Sequence, residues 1–490
     1  HSKYLTDLFF HALNEDERKN DIFPLTGTRL PYLNGGLFED ADDNARSIDF
    51  PPQLFQNLLD FFDEYNFTID ENDPEDHEVG IDPEMLGMIF ENLLEDNKEK
   101  GTYYTPKAIV SYMARQSLLH YLQNHLGKEP ELELLLNQKD PANHPAGSFI
   151  RTHAKKIADL LENVKICDPA IGSGAFPIGL LHEILWTRLT LNWELNTPEQ
   201  RAELKRKIIQ KSIHGVDLDP GATEIARLRF WLALVVDEEE PRPLPNLDYK
   251  IMQGNSLLES FHGVDLSTVL DDDAEQGHTL SSLITNQGEL DLTDTKQEEL
   301  RTKVVQQKNE LLEARRAFFA ARKPERKIEL RHIIDQKIIQ HIQHHLEYKL
   351  DVEETQIHRY HTDWEQKRDT TPSWNPTKTA TNKLQKLIDH TETLQLALSD
   401  LHQLRQTSER PFFLWRLLFQ DVFKDGGFDI IIANPPYVRQ ELIKEQKPLL
   451  QNEGYTCYTG TADLLVYFYE QAHQLLKPNG TLTFITSITV

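Results

Sequence analysis

Apolar residues recur at three- and four-residue spacing in "PQLFQNLLDFFDEY" and "PEMLGMIFENLLED", each with Pro and acidic residues near its start. That spacing predicts amphipathic helices and a mainly helical region over residues 1–150. From residue 163 the texture changes. Short apolar runs, "NVKICDPA", "SIHGVDLD" and "LDYKIMQGNS", alternate with helical stretches, "FPIGLLHEILWTRL" and "GATEIARLRFWLALVV". Strands separated by helices predict an α/β fold built on a doubly wound, mostly parallel sheet, whose first part occupies 151–265.

The alternation then stops until about residue 410. Within that span Leu300, Val304, Leu311 and Phe318, then Leu330, Ile334, Ile338, Ile342 and Leu346, keep helical spacing, with a break near Pro324. Two antiparallel helices in a long insertion over 266–410 are the expected outcome. His341 and His345 stand four residues apart on the second helix. No Cys or carboxylate joins them nearby, so an exposed polar face is expected there and no metal site. Strand texture resumes over 411–490, with "FDIIIANPPY", the helix "ADLLVYFYEQAHQLLKP" and a final strand in "TLTFITSI".

Composition narrows the class. The chain has 490 residues, 39% of them hydrophobic, too many for one compact core. It has no long uninterrupted apolar run and no secretory pattern at "HSKYLTDLFF", so a cytoplasmic protein with no membrane partner is expected. Its two cysteines, Cys167 and Cys457, are too few for a disulfide framework and read as structural. The net charge of −27 opposes nucleic acid as a partner at first sight. Charge is segregated, however: residues 60–99 hold 15 carboxylates and one lysine, and residues 301–350 hold 12 Lys or Arg against 6 Asp or Glu. The start without Met and the apolar end predict a piece of a longer polypeptide.

Two loops carry chemistry. "DPAIGSGAF" (168–176) follows the first strand and opens a helix. Gly172 and Gly174 let backbone approach a ligand, and the exposed N–H groups of the helix that follows favour polar or anionic ligand groups. A side chain added at position 174 is expected to enter the ligand's path. Where a dinucleotide site wants a third glycine the chain has Pro177. Asp217, ending the next strand, is placed to accept from a ribose's two hydroxyls. Together these suggest a nucleoside cofactor without pyrophosphate, although ordinary strand-to-helix turns have the same look. In the second loop, "NPPY" (434–437), two prolines stiffen the chain beyond a buried strand. An exocyclic amine is a poor nucleophile while its lone pair is delocalised, and two fixed acceptors, the Asn434 side-chain oxygen and the Pro435 carbonyl, would favour its tetrahedral geometry. Tyr437 offers a ring on which a base can stack. A strand-capping turn explains the stiffness but not the flanking Asn and Tyr.

In order along the chain, "PYLNGGLFE", "GTYYTP", "DPAIGSGAF", "GVDLDP", "NPPY" and "LKPNGTLTFI" resemble S-adenosylmethionine-dependent N6-adenine DNA methyltransferases of the γ arrangement. The resemblance is closest to the methyltransferase portion of type IIG restriction-modification enzymes. It implies a class I methyltransferase, Rossmann-like core with S-adenosylmethionine as cofactor and double-stranded DNA as substrate. By that resemblance Tyr103, Thr105 and Pro106 wrap the methionine end. Asp168, Pro169, Ala170, Gly172, Gly174 and Phe176 line the pocket, Asp217 and Leu218 hold the ribose side, and Asn255 and Ser256 lie at the cofactor adenine. Many relatives carry Asp where this chain has Asn255, whose oxygen can still accept from that adenine's amine. Asn434, Pro435, Pro436 and Tyr437 would hold an adenine flipped out of the duplex. The family's nuclease and target-recognition domains would belong to other parts of the same polypeptide, since "DWEQK" (363–367) fits a nuclease signature only by loose counting. Methylation of RNA or of a protein glutamine, and a non-catalytic cofactor-binding scaffold, remain alternatives.

Overall fold

The computed structural model describes residues 2–13, 22–30, 51–62, 105–138, 140–192, 197–235, 247–266, 293–321, 324–404 and 412–486. The expected helix in "PEMLGMIFENLLED", the loop "PYLNGGLFE" and Tyr103 lie outside them. The helix expected in "PQLFQNLLDFFDEY" is present as Pro52–Phe62.

Five strands, β1 (Ile166–Asp168), β2 (Ile213–Asp217), β3 (Ile251–Gln253), β4 (Phe428–Ala433) and β5 (Leu476–Phe484), form one sheet in the order β3-β2-β1-β4-β5. Every pairing is parallel, with Ile166 opposite Ile213 on one side and Ile430 on the other. Side chains alternate across a strand, so both faces must be covered for such continuous apolar runs to pay off. Ile166, Ile213, Ile251, Ile430 and Ile432 pack into one core, beneath α1 (Lys107–Leu126), α2 (Phe149–Asn163) and α3 (Ala175–Leu191). Cys167, Val216 and Ile431 pack into another, with Phe413, Trp415 and Phe419. Burial raises the Cys167 thiol well above its ordinary pKa, which suits an inert packing residue. The doubly wound α/β fold is as the sequence predicts. The last strand starts earlier than expected, at Leu476, and absorbs "KPNG" in a register shift with Asn479 at φ 66°. No helix among the described residues is long and apolar enough to cross a membrane.

Among the described residues, the insertion between β3 and β4 holds the two helices expected on either side of Pro324, α6 (Thr293–Ala320) and α7 (Pro324–Thr370), and a further one, α8 (Lys378–Leu404). Pro324 starts α7 where its missing N–H costs nothing, and no further Pro or Gly interrupts this helix of 47 residues. Pro372 and Pro376 then force the turn into α8. Lys337 of α7 meets Glu310 of α6 at 2.7 Å, and His390 of α8 meets Glu353 of α7 at 2.8 Å, so neighbouring helices run antiparallel. The insertion leaves and rejoins the core at one place. Phe413 N donates to Leu258 O at 2.8 Å, and Trp415 N to Glu259 Oε1 at 2.8 Å.

His341 and His345 are buried between these helices, against the expected exposed face. Packing Ile334, Ile338 and Ile342 inward places the histidines on the same stripe. No cluster of three or more metal-ligating side chains occurs among the described residues. Burial, with the charges of Lys349 and His341 adding to it, pushes the His345 pKa down to about 3. The unfolded chain therefore binds a proton that the folded one refuses, and stability falls as pH drops below the unfolded value near 6.5. Acidification from pH 7 to 5 should cost about 2 kcal/mol through this residue. Thermal melting at both pH values should show a smaller difference in a His345→Leu protein; an equal difference in both would refute the assignment.

Candidate active site at the switch point of the sheet

The chain winds outward from β1 through β2 to β3, then restarts on the opposite side with β4 and β5. The crevice between the carboxyl ends of β1 and β4 is therefore the topological switch point, where open parallel sheets bind ligands. The glycine loop leaves β1 there and the NPPY loop leaves β4. A cleft of about 510 Å³ opens between them. It is lined by Thr105, Asp168, Pro169, Ala170, Gly172, Phe176, Asp217, Leu218, Asn255, Ser256, Asn434 and Pro436 among the expected residues. Pro106, Gly174, Pro435 and Tyr437 are off its lining, Tyr437 being part-buried beside it.

The glycine loop is held from below by two carboxylates. Asp168 Oδ1 accepts from Ala170 N at 3.0 Å, while Asp217 accepts from Gly172 N at 2.8 Å and from Asp219 N at 2.9 Å. Ile171 N donates to Val216 O and Gly174 N to Ile171 O. Protein acceptors thus take the loop N–H groups of residues 170, 171, 172 and 174. Asp217 does double duty: a carboxylate has about four acceptor sites, so acceptor capacity remains for a ligand beyond these loop bonds. Burial raises its pKa, while the N–H donors of Asp219 and Gly172 oppose the rise. Burial raises Asp168 well above the ordinary carboxylate range, and its Oδ2 is buried with no hydrogen-bond partner among the described residues. An orphaned acceptor on a cleft wall suits a cationic or N–H-bearing ligand group.

Gly174 needs a different explanation from the one expected. It caps α3 at φ 85°, and a Cβ there would meet Ala226 Cβ at 3.1 Å, on α5 (Pro220–Val235), instead of entering the cleft. Helix packing demands the glycine. Gly174→Val should therefore lower stability by about 2 kcal/mol through strain and crowding, read as a drop in melting temperature of the ligand-free protein. An unchanged melting temperature with weakened ligand binding would restore the steric-block reading.

Asn255 is also turned differently. Its Oδ1 accepts from Leu257 N at 3.1 Å, closing a turn on itself, so the oxygen expected to meet an adenine amine is already engaged. Ser256 ties loops together: its Oγ donates to Pro169 O at 2.6 Å, and its carbonyl accepts from Trp415 Nε1 at 3.1 Å. Thr105, buried, accepts through Oγ1 from Asn434 Nδ2 at 3.2 Å. That bond links segments 329 positions apart. With its nitrogen so directed, the Asn434 amide presents its oxygen to a donor.

The far wall of the cleft comes from residues that no motif singled out: Val438, Leu442, Ile443 and Gln446 just after the NPPY loop, and Leu464 and Phe468 on α10. Here α9 is Lys447–Asn452 and α10 is Leu464–Leu475. Buried Lys447 holds this wall together, donating to Thr459 O at 3.1 Å and Ala462 O and lying 5.4 Å from the Tyr467 ring centre. Burial lowers its pKa. The four-residue spacing of Leu464 and Phe468 on α10 was the available signal, indistinguishable in sequence from ordinary core. "DWEQK" forms no constellation: it lies within α7, where Asp363 and Lys367 pair on the surface at 2.6 Å.

A family profile described as Eco57I restriction-modification methylase matches residues 211–490. A protein of Methanocaldococcus jannaschii named "Putative type II restriction enzyme and methyltransferase" is 29% identical over 525 aligned residues, covering 98% of this chain and 40% of that protein. Type II methyltransferases of Geobacillus stearothermophilus and Xanthomonas vasicola are 40% identical over 79 residues and 41% over 58, covering 16% and 12% of this chain, and 14% and 11% of those proteins. The chain thus spans less than half the length of each of these relatives.

Proposed function

Because the chain belongs to the Eco57I restriction-modification methylase family, we propose that it transfers a methyl group from S-adenosylmethionine to the N6 amine of a flipped-out adenine in double-stranded DNA. It would do so as the modification module of a restriction-modification enzyme. The observation that carries the reading is the placement of Asn434 and the glycine loop on adjacent strands of one cleft, with Thr105 fixing the amide.

The residues fit the cofactor. The orphaned Asp168 Oδ2 offers an acceptor for an ammonium group, and the remaining acceptor capacity of Asp217 suits a ribose hydroxyl. Leu218 and Phe468 supply apolar and aromatic surface for a purine. Bound there, S-adenosylmethionine would supply an electrophilic methyl group. The protein's part is to orient the amine: the Asn434 oxygen and the Pro435 carbonyl accept its two N–H bonds, drawing the nitrogen towards tetrahedral geometry and concentrating its lone pair. Tyr437 stacks on the base. The similarity to the two type II methyltransferases supports DNA as the substrate.

The test is incubation with methyl-labelled S-adenosylmethionine and duplex DNA, followed by digestion to nucleosides. Label in N6-methyl-2′-deoxyadenosine is expected. Label confined to cytosine, or appearing only with RNA or protein as substrate, would overturn the reading.

A further inference from the structure

Past Leu350 the insertion leaves its core. The remaining 20 residues of α7, Asp351–Thr370, rise about 30 Å at 1.5 Å per residue, paired with the start of α8. Between Asp351 and Thr393 only Leu384 and Thr391 are buried, so this is a two-helix arm projecting from the three-helix base. Its tip is stiff. Trp364 packs 6.5 Å from Trp374 and 5.9 Å from Tyr360, Lys367 lies 5.6 Å from the Trp374 ring, and Pro372 and Pro376 fix the turn.

The first turns of α8 are oddly charged. Lys378, Lys383 and Lys386 appear before the first carboxylate of the helix, Asp389, and the first turn has no acidic residue. Lys378 stands in the first turn, where a cation opposes the macrodipole and stability alone would put Asp or Glu. At 100° per residue, Lys378, Thr379, Asn382, Lys383 and Lys386 share one face about 140° wide, and all five are exposed. Lys, Thr and Asn are side chains that contact nucleic-acid backbones. Residues 358–386 hold six Lys or Arg against three Asp or Glu, in a chain of net charge −27. A local rule broken without structural gain points to function.

We propose that this arm is a DNA clamp, whose lysine face on α8 grips the phosphate backbone of duplex DNA away from the methylation cleft. The inference rests on DNA being the substrate. Each phosphate neutralised by a side chain contributes about 0.9 to the slope of log affinity against log salt. A rigid arm holds its cations in place, so little ordering is lost on contact.

The experiment compares the unaltered chain with a Lys378→Gln, Lys383→Gln, Lys386→Gln protein, by fluorescence anisotropy on a short random-sequence duplex over a range of salt. The altered protein should bind roughly ten- to a hundredfold more weakly at low salt, with a slope smaller by about 2 to 3. S-adenosylmethionine binding should be unchanged and the melting temperature equal or slightly higher, since all three side chains are exposed and Lys378 opposes the helix dipole. Equal DNA affinity and slope in both proteins would overturn the clamp while leaving the substrate reading intact. Failure of the unaltered chain to bind DNA at any salt would overturn both.

Discussion

Asn434→Ala lowers the rate of methyl transfer by roughly 10²- to 10³-fold, the loss usual for one preorganised hydrogen-bonding group that acts on the developing charge. Asn434 ends the buried run of β4, and its amide is aimed by Thr105. The substitution removes an acceptor without opening the core, because the strand residues before it stay in place. Cofactor affinity should change little, since the acceptor serves the amine and not the pocket. Single-turnover transfer and equilibrium S-adenosylmethionine binding, measured on the same protein, check both halves. A parallel loss of cofactor binding would mean that Asn434 shapes the pocket and does no work on the amine. Thr105→Val should give a smaller loss, because the amide keeps its position on the strand and loses only its aim.

Asp217→Ala weakens S-adenosylmethionine binding by on the order of 10²-fold, through two effects that add. The loop at Gly172 loses the acceptor that holds it, and a ligand's hydroxyl groups lose theirs. Hydrogen bonds to a charged group contribute about 1.5–3 kcal/mol each, so losing one of either kind reaches that magnitude. Asp217→Asn separates them in part: its oxygen can serve one N–H, but its amide nitrogen confronts the other. Calorimetric titration of both variants is the measurement, and unimpaired binding in Asp217→Ala would remove Asp217 from the site.

The parallel core was legible because its strands are short apolar runs covered on both faces; "FDIIIA" in β4 is buried at every position. The switch-point cleft was legible for the same reason, since loops after adjacent strands must converge. The third insertion helix has a readable spacing in Leu384, Leu387, Leu394 and Leu401, but a turn at Pro372 and Pro376 between two helices has the same local pattern as the end of a helical region. What stayed hidden depends on partners far along the chain. Nothing near residue 105 announces a bond to Asn434, nothing near Gly174 announces Ala226, and an Asn that closes its own turn reads the same as one awaiting a ligand. His341 and His345 were misplaced because periodicity gives a stripe but not which neighbour covers it.

The joined ends of the insertion bear on how the protein comes to be folded. Register pairs such as Ile166 with Ile430 bring together residues 264 positions apart, a separation that makes sheet closure slow and entropically costly for a disordered connection. The helices between them form from local contacts, which are fast. Once they pack, the bonds from Leu258 to Phe413 and from Glu259 to Trp415 bring both ends of a long excursion side by side. The insertion thus acts as an internal splint. It shortens the search by which β4 finds β1, and during synthesis the cleft can close only after the last strands have emerged.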